Sequence, residues 1–134
     1  ELLATPSDIL IPAALGGVVT EKNAASIRAP IILELANGPV TPAAEKVLLK
    51  SGKIIVPDIL ANAGGVTVSY FEWLQNKNNE RWSEKEVLQK LEKKMVTAFQ
   101  EVWNGRQGQE SFRSAAYRIA IHRVLEAERK RGRL

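Results

Sequence analysis

The chain has 134 residues, enough for one domain, or a large piece of one, with a real core. At 45% hydrophobic and 25% charged residues it has an ordinary globular composition, and no apolar run approaches the roughly 18 residues a membrane span needs. Zero cysteines exclude a disulfide scaffold, thiolate metal sites and a cysteine nucleophile, and suit a reducing, cytoplasmic setting.

The net charge of +4 is unevenly placed: Arg123, Arg129, Lys130, Arg131 and Arg133 face only Glu126 and Glu128 at the C-terminal end. A basic last turn complements the negative end of a helix dipole. A nucleic-acid surface would need a wider basic face with aromatics in it, so no nucleic-acid partner is expected. The opening Glu1-Leu2-Leu3-Ala4-Thr5-Pro6 is neither a signal peptide nor a start, and the chain reads as cut from something longer.

In chain order, the first predicted element is a strand at Ile9-Leu10-Ile11, and two more follow at Ile31-Ile32-Leu33 and Ile54-Ile55-Val56. Each run is continuous rather than alternating, the pattern of strands covered on both faces in a parallel sheet. A helix is predicted from Thr20, as N-cap, to Ile27. Another begins after Thr41, with Pro42 at its first position, and stops before Gly52. Strand and helix alternate at the spacing of right-handed crossovers.

The second half is helical. Ser83 and Glu86 form a capping box, after which Leu88, Leu91, Met95, Phe99 and Val102 draw one apolar stripe. Asn104-Gly105 and Gln107-Gly108 break it. A last helix runs from about Ser111 to Arg131, with Tyr117, Ala120, Ile121, Val124 and Leu125 as its expected buried face. The fold class is α/β: half of a doubly wound, Rossmann-type parallel sheet followed by a helical C-terminal segment. Residues 1–104 hold the three strands, their crossover helices and the long helix, and 105–134 the polar break and last helix.

Ligands of open α/β sheets collect at the carboxyl ends of the strands. Those ends are Pro12-Ala13-Ala14-Leu15, Glu34-Leu35-Ala36-Asn37-Gly38-Pro39, and the stretch from Pro57-Asp58 through Asn62-Ala63-Gly64-Gly65-Val66. Small residues let a flat ring or a ribose approach the backbone, and an asparagine amide both donates and accepts. Any one of these loops reads as a turn. Three at one edge point to a ligand crevice. A phosphate cradle is missing, because Gly16-Gly17 and Gly64-Gly65 are isolated pairs rather than a G-x-G-x-x-G. A dinucleotide bound here would take its pyrophosphate contacts from residues outside this chain.

The segment Pro57-Asp58-Ile59-Leu60-Ala61-Asn62-Ala63-Gly64-Gly65-Val66-Thr67-Val68-Ser69-Tyr70-Phe71-Glu72-Trp73 resembles the signature of hexameric glutamate dehydrogenases. Asp8 to Leu15, Ala36-Asn37-Gly38-Pro39 and Ser114-Ala115-Ala116-Tyr117 resemble other parts of that family in the same order. The Asn-Ala-Gly-Gly portion is shared with leucine, phenylalanine and valine dehydrogenases, while Val-Ser-Tyr-Phe-Glu-Trp points to glutamate. Leu35 and Gly16-Gly17 depart from the family pattern.

The resemblance implies NAD or NADP as cofactor, with Ala13 and Ala14 beside the ribose and nicotinamide, and Asn37 and Asn62 hydrogen-bonding the nicotinamide end. It implies Val66 in the substrate pocket and Ser69 on the distal carboxylate of glutamate. The reaction it implies is hydride transfer between nicotinamide and Cα, through an iminium that water hydrolyses to 2-oxoglutarate and ammonia. The family's catalytic lysine and aspartate lie in its N-terminal domain, so no catalytic residue and no metal site is expected in this chain, which alone should be inactive. The implied partners are that N-terminal domain and further subunits of a homo-hexamer. The reading from another class is a free-standing, non-catalytic α/β interaction or regulatory module. Asp8 and Asp58 have no partner lysine in view. His122, Trp73, Trp82 and Trp103 read as structural or surface residues.

Overall fold

A computed structural model describes residues 2–133. Its sheet is made of β1 (Ile9–Leu10), β2 (Ile31–Leu33) and β3 (Ile54–Val56), all parallel and in that spatial order. Ile9 pairs with Ile31, which pairs with Ile54, and Leu10 and Ile55 flank Ile32 in the same way. Layers on either side bury Ile32 and Ile55, while Ile9 and Ile54 on the outer strands stay 48% and 40% exposed.

On one face, Ile32 and Ile55 enter a core with Val19, Ala24, Ile27, Ala29, Val40, Ala44 and Leu48. Ala44 and Leu48 come from α1 (Pro42–Lys50), whose start is set by the Thr41 hydroxyl accepting from the Ala44 N–H and by Pro42 in the first turn. On the other side lie α2 (Asp58–Ala61), α3 (Ala63–Asn78), α4 (Glu84–Gly105) and α5 (Phe112–Lys130). Leu60, Val102, Phe112, Ala115 and Ala116 from α2, α4 and α5 form a second core there. The capping box at Ser83 and Glu86 is complete in both directions. Trp103 and Phe99 stack around Phe112, and Trp82 packs on Phe71, so these aromatics serve packing. Among the described residues no helix is long and apolar enough to cross a membrane.

Three expectations fail locally. The helix predicted over Thr20–Ile27 is a pair of turns ending in a 3-10 segment, Ala24–Ser26. Asn23 is the cause: its Oδ1 accepts from Thr20 N–H and its Nδ2 donates to Val18 carbonyl, each at 2.8 Å. A side chain that captures nearby backbone groups in this way outcompetes the helical pattern. The stretch after β3, read as a loop, is helical almost from Pro57 onward and bends only at Asn62 (φ −99°, ψ 7°). Gly64 and Gly65 lie in the first turn of α3, where a Cβ on Gly64 would meet Leu91 of α4 at 3.9 Å and one on Gly65 would meet nothing within 4 Å.

The third failure is the face of α5. Phe112, Ala115 and Ala116 are buried, whereas Tyr117, Ile121, Val124 and Leu125 are 47%, 56%, 62% and 40% exposed. The helix is apolar on two sides, and the side that meets α4 extends from Phe112 through Ile119 to Arg123, which pairs with Glu101. On α4 likewise, Val102 is buried but Leu88 is 54% exposed.

Candidate functional site at the carboxyl edge of the sheet

The loops that leave β1 and β2 are joined by backbone hydrogen bonds. Pro12 carbonyl accepts from both Leu35 and Ala36 N–H, at 3.1 and 2.8 Å, and Gly17 N–H donates to Gly38 carbonyl at 2.8 Å. The approach is so close that a Cβ on Gly16 would lie 2.9 Å from the Asn37 carbonyl oxygen. Glycine at 16 is therefore needed by the geometry, and Gly38 holds a left-handed φ of 56° in the turn it touches. Ala13 and Ala14 stand exposed on the first of these loops.

Asn62, at the bend between α2 and α3, crosses to the second loop. Its Nδ2 donates to Leu35 carbonyl at 3.2 Å and to Asn37 Oδ1 at 2.8 Å. A carbonyl can only accept, so the first bond orients the Asn62 amide, and the second then orients that of Asn37. Asn37 Nδ2 and Asn62 Oδ1 have no hydrogen bond among the described residues: one donor and one acceptor are offered at the edge. The structure thus brings Asn37 and Asn62 together, next to the loop of Ala13 and Ala14.

Val66 and Ser69 lie one and two turns into α3. Val66 is 70% exposed, and Ser69, also exposed, donates its hydroxyl to Gly65 carbonyl at 3.2 Å. Val66, Ser69, Tyr70 and Trp73 share one open helix face by their three- and four-residue spacing, and Tyr70 stacks on Trp73 with ring centroids 5.8 Å apart.

Beneath the edge lies a charged cluster that the sequence reading missed. Arg113, in the first turn of α5, reaches Glu34 at 2.6 Å, Glu45 at 2.7 Å and Asp58 at 2.9 Å. Glu34 is fully buried, yet it also accepts from Asp58 N–H at 2.9 Å, so its carboxylate is well supplied with donors. Burial nevertheless pushes its pKa above the ordinary carboxylate value, only partly offset by the Asp58 N–H and Arg113. Asp58 goes the other way: burial raises it, but the N–H groups of Gly38 and Ile59 together with Arg113 outweigh that and hold it low. For Arg113, burial disfavours the cation, while Glu34 and Glu45 more than compensate and raise its pKa. The one clue in the sequence was Glu34 itself, a carboxylate set directly after a buried apolar strand. Asp58 is fully engaged in this cluster, and His122 is exposed, 3.3 Å from Glu126.

A sequence model of the Glutamate/Leucine/Phenylalanine/Valine dehydrogenase family matches residues 1–132. The chain belongs to this family. Among its relatives, the NAD-specific glutamate dehydrogenase of Staphylococcus aureus (strain COL) is 50% identical over 133 residues, which are 98% of this chain and 32% of that protein. The chain therefore spans about a third of the length of the curated relatives it matches. Of solved structures in the family, glutamate dehydrogenase from Peptoniphilus asaccharolyticus superimposes with a TM-score of 0.87 at 42% identity, over 94% of this chain and 32% of that one. The hetero-hexameric glutamate dehydrogenase from Thermus thermophilus, in its Leu-bound form, gives 0.90 at 32% identity, over 96% and 31%. The half-sheet and its helices are thus those of family dehydrogenases.

Proposed function

We propose that this chain is the C-terminal part of an enzyme that oxidatively deaminates L-glutamate to 2-oxoglutarate and ammonia with NAD or NADP. In this reading residues 1–104 are the second half of the cofactor domain, and residues 105–134 are a polar break and a C-terminal helix whose first part packs on it. The observation that carries the reading is the amide pair: Asn37 and Asn62 are tied together at the edge, and Asn37 Nδ2 and Asn62 Oδ1 are left as a donor and an acceptor of the kind a carboxamide and its ribose require. When bound, the nicotinamide supplies hydride chemistry at Cα of the amino acid.

The residues of this chain bind and orient. Ala13 and Ala14 project no atom beyond Cβ, so a ribose and ring can lie against their backbone. Val66 offers an exposed apolar wall, and Ser69 can turn its hydroxyl from Gly65 carbonyl to a distal carboxylate, a stronger acceptor. The catalytic lysine and aspartate and the pyrophosphate loop belong to other parts of the protein, and a homo-hexamer in the cytoplasm is the setting proposed for it.

The test is steady-state assay of the full-length gene product and of the 134-residue chain, each with glutamate and NAD or NADP. Turnover by the first and none by the second is the expected result. Turnover by the chain alone would overturn the placement of the chemistry, and none by the full-length product would overturn the function.

A further inference from the structure

We infer that Arg113 is a positioning residue for the nicotinamide-binding asparagines, acting through Asp58 on the loop that carries Asn37. The inference rests on the reading of Asn37 and Asn62 as nicotinamide contacts. Asp58 anchors both. Its Oδ2 accepts the Gly38 N–H at 2.8 Å, which fixes the turn immediately after Asn37. Its backbone carbonyl accepts the Asn62 N–H at 3.0 Å, which fixes the bend where Asn62 sits. Its remaining oxygen, Oδ1, takes both the Ile59 N–H at 2.8 Å and the Arg113 Nη1 at 2.9 Å.

Without Arg113 the Asp58 carboxylate would keep only its two backbone donors, the Gly38 and Ile59 N–H groups, at the lip of the cleft. Arg113 adds a charged donor to them, and its guanidinium is itself fixed, by Glu34 on one side and Glu45 on the other. A planar fork with three fixed partners has one orientation. The order of support is thus α5 to Arg113, Arg113 to the Asp58 carboxylate, and that carboxylate to the turn after Asn37, whose Oδ1 in turn takes Asn62 Nδ2. Asparagines held in this way need not be ordered when the ring arrives, which favours binding.

The inference is tested in the full-length protein with Arg113→Lys and Asp58→Asn, and with Arg118→Gln as a control. Arg118 is on the same helix but pairs with Glu110 and Gly105 carbonyl, away from the edge. The probes are NADH and ADP-ribose, which lacks the nicotinamide. Lysine keeps the charge but not the fork, and asparagine keeps the shape but not two acceptors. Each is expected to weaken NADH about 3- to 10-fold, the range for one displaced hydrogen bond, with ADP-ribose changed less than about 2-fold. Arg118→Gln should leave both ligands unchanged. In an Asn62→Ala background the loss from Arg113→Lys should shrink, because the two residues act on one contact.

Equal losses for NADH and ADP-ribose would reduce Arg113 to a general structural role, and no loss for either in a folded variant would also overturn the inference. If Arg113→Lys fails to fold, Asp58→Asn carries the same test. Wild-type protein that binds no NADH would instead sink the functional reading beneath it.

Discussion

Removing Arg113 should cost far more stability than its place near the surface of a short first turn suggests. In Arg113→Met, Glu34 would keep a single hydrogen bond, from Asp58 N–H, while its side chain stays at 0% exposure. Breaking one partner from a buried pair costs about 3–5 kcal/mol, because the survivor is stranded without compensation. At roughly 3–5 °C per kcal/mol for a chain of this size, the midpoint should fall by roughly 9–25 °C. The double variant Arg113→Met/Glu34→Gln removes both buried charges, and a neutral amide is less costly to bury. It should recover more than half of the loss, even though Glu45 and Asp58 remain, because those two side chains keep 12% and 18% exposure and Asp58 keeps two backbone donors. Thermal and urea unfolding at neutral pH, followed by circular dichroism, measures both variants. A single variant within 1 kcal/mol of wild type, or a double variant no more stable than the single, would refute this account.

Ser69→Ala in the full-length protein should lower kcat/KM for glutamate about 10- to 150-fold, the value of one hydrogen bond to a charged group. Norvaline, which has no distal carboxylate, should be unaffected, and equal losses for both substrates would remove Ser69 from the substrate site. Gly16→Ala forces a Cβ to within 2.9 Å of Asn37 carbonyl oxygen, so the two loops must part. A destabilisation of about 1–3 kcal/mol is expected, as for overpacking, together with weaker NADH binding; an unfolding midpoint equal to that of wild type would contradict the close approach.

What could be read without the structure follows the range of the forces involved. The three strands were legible as unbroken apolar runs, although only Ile32 and Ile55 in them are buried and the outer strands leave Ile9 and Ile54 partly open. Helices α1 and α4 were legible from their caps, since Thr41 and Ser83 bond to groups three residues away. Local chemistry also explains the failure at Asn23: an asparagine inside a helix-like pattern bonded Thr20 and Val18 instead. Helix α3 hid behind Gly64-Gly65, a turn signal overridden by packing. The edge of the sheet was legible as small residues and asparagines, but the bond between Asn37 and Asn62 spans 25 positions and left no local pattern.

The apolar faces raise a different matter. Hydrophobic periodicity counts every face that a helix can bury, whereas a sheet of three strands covers only one face of α5, the one bearing Phe112, Ala115 and Ala116. The expected face, Tyr117, Ala120, Ile121, Val124 and Leu125, has the correct period, but all of it except the half-buried Ala120 lies exposed on another side of the same helix. Arg113 settles which side turns inward. A guanidinium that must reach Glu34, Glu45 and Asp58 at once fixes the rotation of the first turn of α5, and Phe112 and Ala116 follow from that rotation by helical geometry. The same contact that orients the helix therefore reaches, through Asp58, the turn after Asn37. Packing of the C-terminal helix and order at the ligand edge are accordingly coupled through a single side chain, and a change that shifts α5 should be felt at Asn37 before it is felt at Ala13 or Ala14.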